Sequence, residues 1–301
     1  MRCHYSKPIA AFAMVCVMSI GIINTIFAQD KTNKNPGVQS GFAPVNGLKM
    51  YYEIHGSAKP LLLIHGSFMN IPTAFGSMIP ELSKKRQVIA VELQGHGRTA
   101  DIDRAFSYES MSDDIVGLLK YLKIDSTDVL GYSLGANIAL LTAIRHPEVV
   151  RKLVIISGAY KSEGWYPETR AIFPMLSPQM FEHTPIKTQY DSLAPDPKHF
   201  ADFINKMKQL EIKEYDFGAD KIKSMKSPVL MIIGDSDGVQ PEHAIEIFRL
   251  RGGGHMGDLG NMSTSQLVIF PATTHVGVMM HPDWLLQIVP PYLDGPVHAG
   301  M

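Results

Sequence analysis

Cysteine is nearly missing from this chain: of 301 residues, only Cys3 and Cys16 carry a thiol. Both lie within the first 28 residues, so a fold built from the remaining residues has neither disulfides nor cysteine chemistry to draw on. A charge excess is missing too, with 28 Lys and Arg against 29 Asp and Glu. No basic stripe breaks that balance, which gives no reason to expect a nucleic-acid partner. The histidines are scattered, without ligand spacing or a matching carboxylate cluster, so neither a metal site nor a cofactor is expected. Internal repeats and low-complexity tracts are absent.

What is present suffices for one large α/β domain, since 45% of the residues are hydrophobic and 19% charged. A core of that size needs no covalent staples. The N-terminus stands apart from it. Arg2, His4 and Lys7 precede a mainly apolar run from Ile9 to Phe27, and Ala28-Gln29-Asp30 then opens a polar stretch. This is the layout of a secretory signal peptide over residues 1–28, cleaved after Ala28, and it predicts an exported protein, periplasmic or extracellular. An uncleaved membrane anchor is the alternative, because the run is nearly long enough to span a bilayer. Ser19, Gly21, Asn24 and Thr25 weaken it, and no membrane insertion is expected once the segment is removed. Residues 29–41 are polar and unpatterned and predict a disordered lead to a domain over 42–301.

Strands and helices then alternate. Met50 to Ile54 reads as an early strand, and Leu61–Ile64, Gln87–Val91, Leu153–Ser157, Val229–Ile233 and Leu267–Phe270 as buried ones. Ile115, Leu118, Leu119 and Leu122 fall at helical spacing, as do Leu285, Ile288, Val289 and Tyr292. Alternation of this kind predicts a mainly parallel, doubly wound sheet. Between Gly158 and Ser227 no buried strand appears, while aromatics, methionines and prolines are frequent. That stretch, about 158–227, predicts an inserted helical lid. Gly252 to Gly254 follows a helix and opens no other, so it fits a helix end and not a phosphate site.

The chemistry concentrates at Gly131-Tyr132-Ser133-Leu134-Gly135. Asp128-Val129-Leu130 before it reads as the end of a buried strand, and the small and apolar residues from Ala136 to Ile144 read as a buried helix. A serine on so sharp a turn is held in a strained conformation with its hydroxyl above the sheet. The glycines on either side are required because any side chain would collide with the adjoining strand or helix. Such a serine needs a base, and the base an orienting acid. After the strand ending at Ile233 comes Gly234-Asp235-Ser236-Asp237, which offers two carboxylates. His275, His281 and His255 are candidate bases, and only His275 directly follows the last strand.

Together with Leu63-Ile64-His65-Gly66 and Gly95-His96-Gly97-Arg98-Thr99, these motifs resemble the α/β-hydrolase superfamily over about residues 48–294. The similar members are lid-bearing esterases, lactonases and carbon–carbon bond hydrolases. The chain departs from them at Glu92, where the family has Asp. By this resemblance Ser133 matches the nucleophile, Asp237 the acid and His275 the base. Backbone N–H groups of Leu134 and Ser67 would form the oxyanion hole, with the Ser67 hydroxyl expected to be solvated. Phe68, Trp165, Tyr166 and Phe173 would contact substrate, and His65 and His96 would tie loops to backbone. The implied activity is cleavage of a carboxylic ester or lactone of a small to medium apolar substrate through an acyl-enzyme. Two alternatives are a proline-releasing aminopeptidase, with Glu163, Glu168 or Glu182 holding the amine, and a carbon–carbon bond hydrolase. From another class comes a hydrolase-like binding protein that has lost catalysis.

Overall fold

Five short runs of apolar residues, each too short for a core helix, lie side by side as parallel strands. The computed structural model describes residues 37–259 and 262–296. In chain order its strands are β1 (Val38–Val45), β2 (Leu48–His55), β3 (Pro60–Ile64), β4 (Gln87–Val91), β5 (Thr127–Tyr132), β6 (Val150–Ile156), β7 (Val229–Ser236) and β8 (Gln266–Thr274). They form one sheet in the order β1-β2-β4-β3-β5-β6-β7-β8. β2 alone runs against the rest. From β4 onward every pair is parallel, with Leu62 opposite Ile89 and Val129, and Ile155 opposite Met231.

Successive strand residues point to opposite faces, and both faces are covered. Leu62, Ile64, Ile89, Val129 and Ile155 join one buried cluster, while Leu61, Leu63, Val88, Leu130 and Val154 join the other. The helices divide accordingly. On one side lie α1 (Ile71–Phe75) and α2 (Ile79–Leu82), and on the other α3 (Tyr108–Tyr121) and α4 (Leu134–Arg145). Ser107 caps α3, accepting from Ser110 N, and turns Met111, Ile115, Leu118 and Leu119 inward. α4 is buried along almost its whole length because it is wedged against the central strands and α3. Between β6 and β7 the chain carries helices only: α5 (Pro167–Ile172), α6 (Pro185–Leu193), α7 (Phe200–Glu211) and α8 (Ala219–Ser224), joined by short 3₁₀ turns. α9 (Pro241–Leu250) links β7 to β8, and Gly252 to Gly254 close its end. α10 (Pro282–Asp294) follows β8 and buries Leu285, Val289 and Tyr292. Buried Lys152 donates to the carbonyls of Tyr292 and Gly295, satisfying the end of that helix.

One boundary is corrected. Residues 38–41, expected within a disordered lead, pair with β2 from Val38↔His55 to Gly41↔Tyr52. The reason is a two-residue turn, Asn46 (φ 47°) and Gly47 (φ 86°), whose left-handed backbone matches the twist of a hairpin. The expected signal peptide and residues 29–36 lie outside the described residues. Among the described residues, no helix is long and apolar enough to cross a membrane.

Candidate active site

The carboxyl ends of β3, β5, β6, β7 and β8 deliver the polar residues of the site, where an open α/β sheet builds its clefts. Ser133 sits between β5 and α4 at φ 53°, ψ −117°, a conformation L-residues avoid. A Cβ on Gly131 would come within 2.2 Å of the Gly135 carbonyl oxygen, and one on Gly135 within 2.1 Å of that of Ile64. The two glycines therefore permit the turn that lifts the serine.

His275 follows β8, and its Nε2 lies 3.0 Å from Ser133 Oγ. Its Nδ1 lies 2.7 Å from Asp237 Oδ1. The ionised carboxylate accepts from Nδ1–H, which leaves Nε2 free to accept from the serine. Asp237 is buried and held by three further donors: Val239 N on Oδ1, and Gly234 N and Ser157 Oγ on Oδ2, the last at 2.5 Å. Burial pushes its carboxyl up, but His275, the Ser157 hydroxyl and the Val239 N–H outweigh this and hold it below the ordinary carboxylate range. Ser157, which the sequence reading passed over, follows β6 in a left-handed conformation (φ 52°). Its position next to β7 at the sheet's carboxyl edge was the available signal.

The rival residues take other places. Asp235 accepts from Ala272 N and Thr273 N and so ties the end of β7 to β8. His281 precedes α10 and stacks on Trp284, while His255 lies beyond α9. His65 Nε2 accepts from Leu93 N and its Nδ1 meets the Gly66 carbonyl, a pattern for neutral imidazole; burial lowers its pKa to about 4. His96 meets the Gln94 carbonyl. Glu92 accepts from Arg98 N and Ile71 N and pairs with the Arg98 guanidinium, so it pins the loop that follows β4.

Leu134 opens α4, and its N–H has no carbonyl one turn back within the helix. Ser67 lies just past β3. Its hydroxyl, expected to be solvated, instead donates to Glu211 Oε1 at 2.8 Å because the end of α7 comes down over this loop. Glu211 was not singled out in the sequence; in the fold it is the last residue of α7. Glu163, Glu168 and Glu182 are all exposed.

Of the expected substrate contacts, Trp165 packs edge-on against the His275 ring at 5.4 Å and is fixed by an N–H bond to Tyr215 Oη. Trp165 and Phe173 line a cavity of about 160 Å³ with Glu211 and Tyr215. Phe68 adopts φ 60° and packs on Phe181 and Phe203. Tyr166 is a correction: it is exposed and stands outside this cavity, because its backbone is spent starting α5 with its N–H on Gly238 O. Among the described residues, no group of three or more His, Cys, Asp or Glu is arranged to hold a metal ion.

Comparison with known proteins agrees with this fold. The family described as alpha/beta hydrolase fold matches residues 59–209. A 2-hydroxymuconate semialdehyde hydrolase from a Pseudomonas species is 38% identical over 117 residues, which are 38% of this chain and 41% of that protein. The chain thus matches about two fifths of that relative's length. Serine hydrolase BPHL from Mus musculus is 28% identical over 212 residues, 68% of this chain and 72% of the relative. Among solved structures, an enol-lactonase from Burkholderia xenovorans superposes with a TM-score of 0.63 at 18% identity, covering 84% of this chain and 100% of that one. At that identity the likeness is one of fold.

Proposed function

Because this chain belongs to the alpha/beta hydrolase family, we propose that it is a serine hydrolase acting on a carboxylic ester or lactone. The hydrogen-bonded line from Asp237 through His275 to Ser133, at 2.7 and 3.0 Å, carries this reading. Ser133 Oγ attacks the acyl carbon while its proton passes to His275 Nε2. Negative charge then grows on the carbonyl oxygen, and the N–H groups of Leu134 and Ser67 receive it. The imidazolium, stabilised by ionised Asp237, returns the proton to the leaving alcohol. Water activated by the same nitrogen then cleaves the acyl-enzyme and releases the acid. Phe68, Trp165 and Phe173 give the site apolar walls suited to a small or medium substrate. Export through residues 1–28 is proposed on their charge and apolar pattern.

The match to 2-hydroxymuconate semialdehyde hydrolase favours a second reading, hydrolysis of a carbon–carbon bond by the same three residues. A panel of short-chain p-nitrophenyl esters, lactones and a vinylogous ketone substrate decides between them. Ester or lactone turnover by the wild type, lost by at least about a thousandfold in Ser133→Ala with unchanged folding, is the expected result. Turnover unaffected by that substitution removes Ser133 as the nucleophile. Absence of turnover of every acyl substrate supports a binding protein.

A further inference from the structure

One charged group beside the triad has no task in the reaction just described. Glu211, half-buried at the end of α7, accepts from the hydroxyl of Ser67, the residue whose N–H is assigned to the oxyanion. Burial pushes its carboxyl up, against the Ser67 hydroxyl and the charge of His275, which favour ionisation. Two cations share its cavity, but Arg170 is tied to Glu214 and Lys213 is exposed on the turn beyond the helix.

A carboxylate there is a handicap for a neutral substrate. Acyl transfer places negative charge beside Ser67, and a second negative charge a few ångströms away slows the step by roughly 10- to 100-fold at the effective dielectric of a protein. A positive charge on the substrate reverses the sign of that effect. The adjoining cavity of about 160 Å³ has the composition to hold one, with aromatic walls from Trp165, Phe173 and Tyr215 around the carboxyl. Trp165 also touches the His275 ring, so the cavity flanks the position of the scissile bond.

We infer that Glu211 is a specificity-determining residue that binds an ammonium next to the acyl carbonyl, making amino-acyl esters the preferred substrates. This rests on the serine-hydrolase reading. Burial pushes the Glu211 carboxyl up, so with the cavity empty its ionisation is costly, and the substrate amine supplies the missing countercharge.

The test compares L-alanine benzyl ester with benzyl isobutyrate, in which a methyl group replaces the ammonium, at neutral pH. The wild type is expected to prefer the alanine ester by roughly tenfold or more in kcat/KM. In Glu211→Gln the preference collapses to about one, through a lower value for the alanine ester and a higher one for isobutyrate. The higher value on isobutyrate in that same variant excludes a folding defect as the cause of its lower value on the alanine ester. Equal wild-type rates on the two esters, or a preference that survives in Glu211→Gln, overturn the inference while the hydrolase reading stands. Failure to cleave either ester, with no fluorophosphonate label on Ser133, overturns both.

Discussion

Ser157 shows how much of this site is set by single hydrogen bonds. Its hydroxyl reaches one oxygen of Asp237 while His275 uses the other, so the carboxylate plane is fixed from two sides. A hydrogen bond to a charged group contributes about 1.5 kcal/mol or more. Ser157→Ala is therefore expected to lower kcat roughly tenfold with little change in KM, since the loss falls on imidazolium stabilisation and not on substrate contact. Steady-state kinetics on an ester checks this, and an unchanged kcat would show that Gly234 N and Val239 N hold Asp237 unaided. Ser133, Asp237 and His275 were legible from the chain because each follows a recognisable strand. Ser157 and Glu211 were not, since their partners are 80 and 144 positions away, and the place of Ser157 at the end of a strand was the sole local hint. The same holds for the Ser67 hydroxyl, whose partner lies on α7.

At the scale of elements, legibility followed burial. β3 to β7 are apolar runs covered on both faces, and a run such as Leu61 to Ile64 has no other stable environment in a chain of this length. α3 and α10 were legible from one apolar stripe each. The β1–β2 hairpin was not read in full, because Val38 to Val45 is an edge strand with an exposed, mixed sequence (burial rises only at Ala43 and Val45). Asn46-Gly47 was the local signal for it. Between β6 and β7 the lack of a buried strand was legible, but the arrangement of α5 to α8 was not. Their packing is made by aromatic pairs such as Phe68–Phe181 and Tyr190–Phe203, which join residues distant in sequence.

For the whole molecule, the sheet acts as a frame whose buried histidines make its stability depend on pH. His65 and His243 are both lowered to about 4 from the ordinary 6.5, chiefly by burial. Between those values the unfolded chain binds protons that the folded chain excludes, so stability rises with pH and is lost as pH falls from 6.5 toward 4. Each such histidine contributes about 1.4 kcal/mol per pH unit inside that window. Urea unfolding across the window should show this slope, reduced by about one proton in His243→Gln; a slope unaltered by the substitution would mean that His243 is protonated in the fold. The central claim is that the side chains at 133, 237 and 275 act as one nucleophilic unit. Its most direct test is peptide mass spectrometry after treatment with a fluorophosphonate. A single adduct on the peptide carrying Ser133, formed by the wild type and lost in His275→Ala, is the predicted result, and an adduct on another serine, or none from the folded wild type, would contradict it.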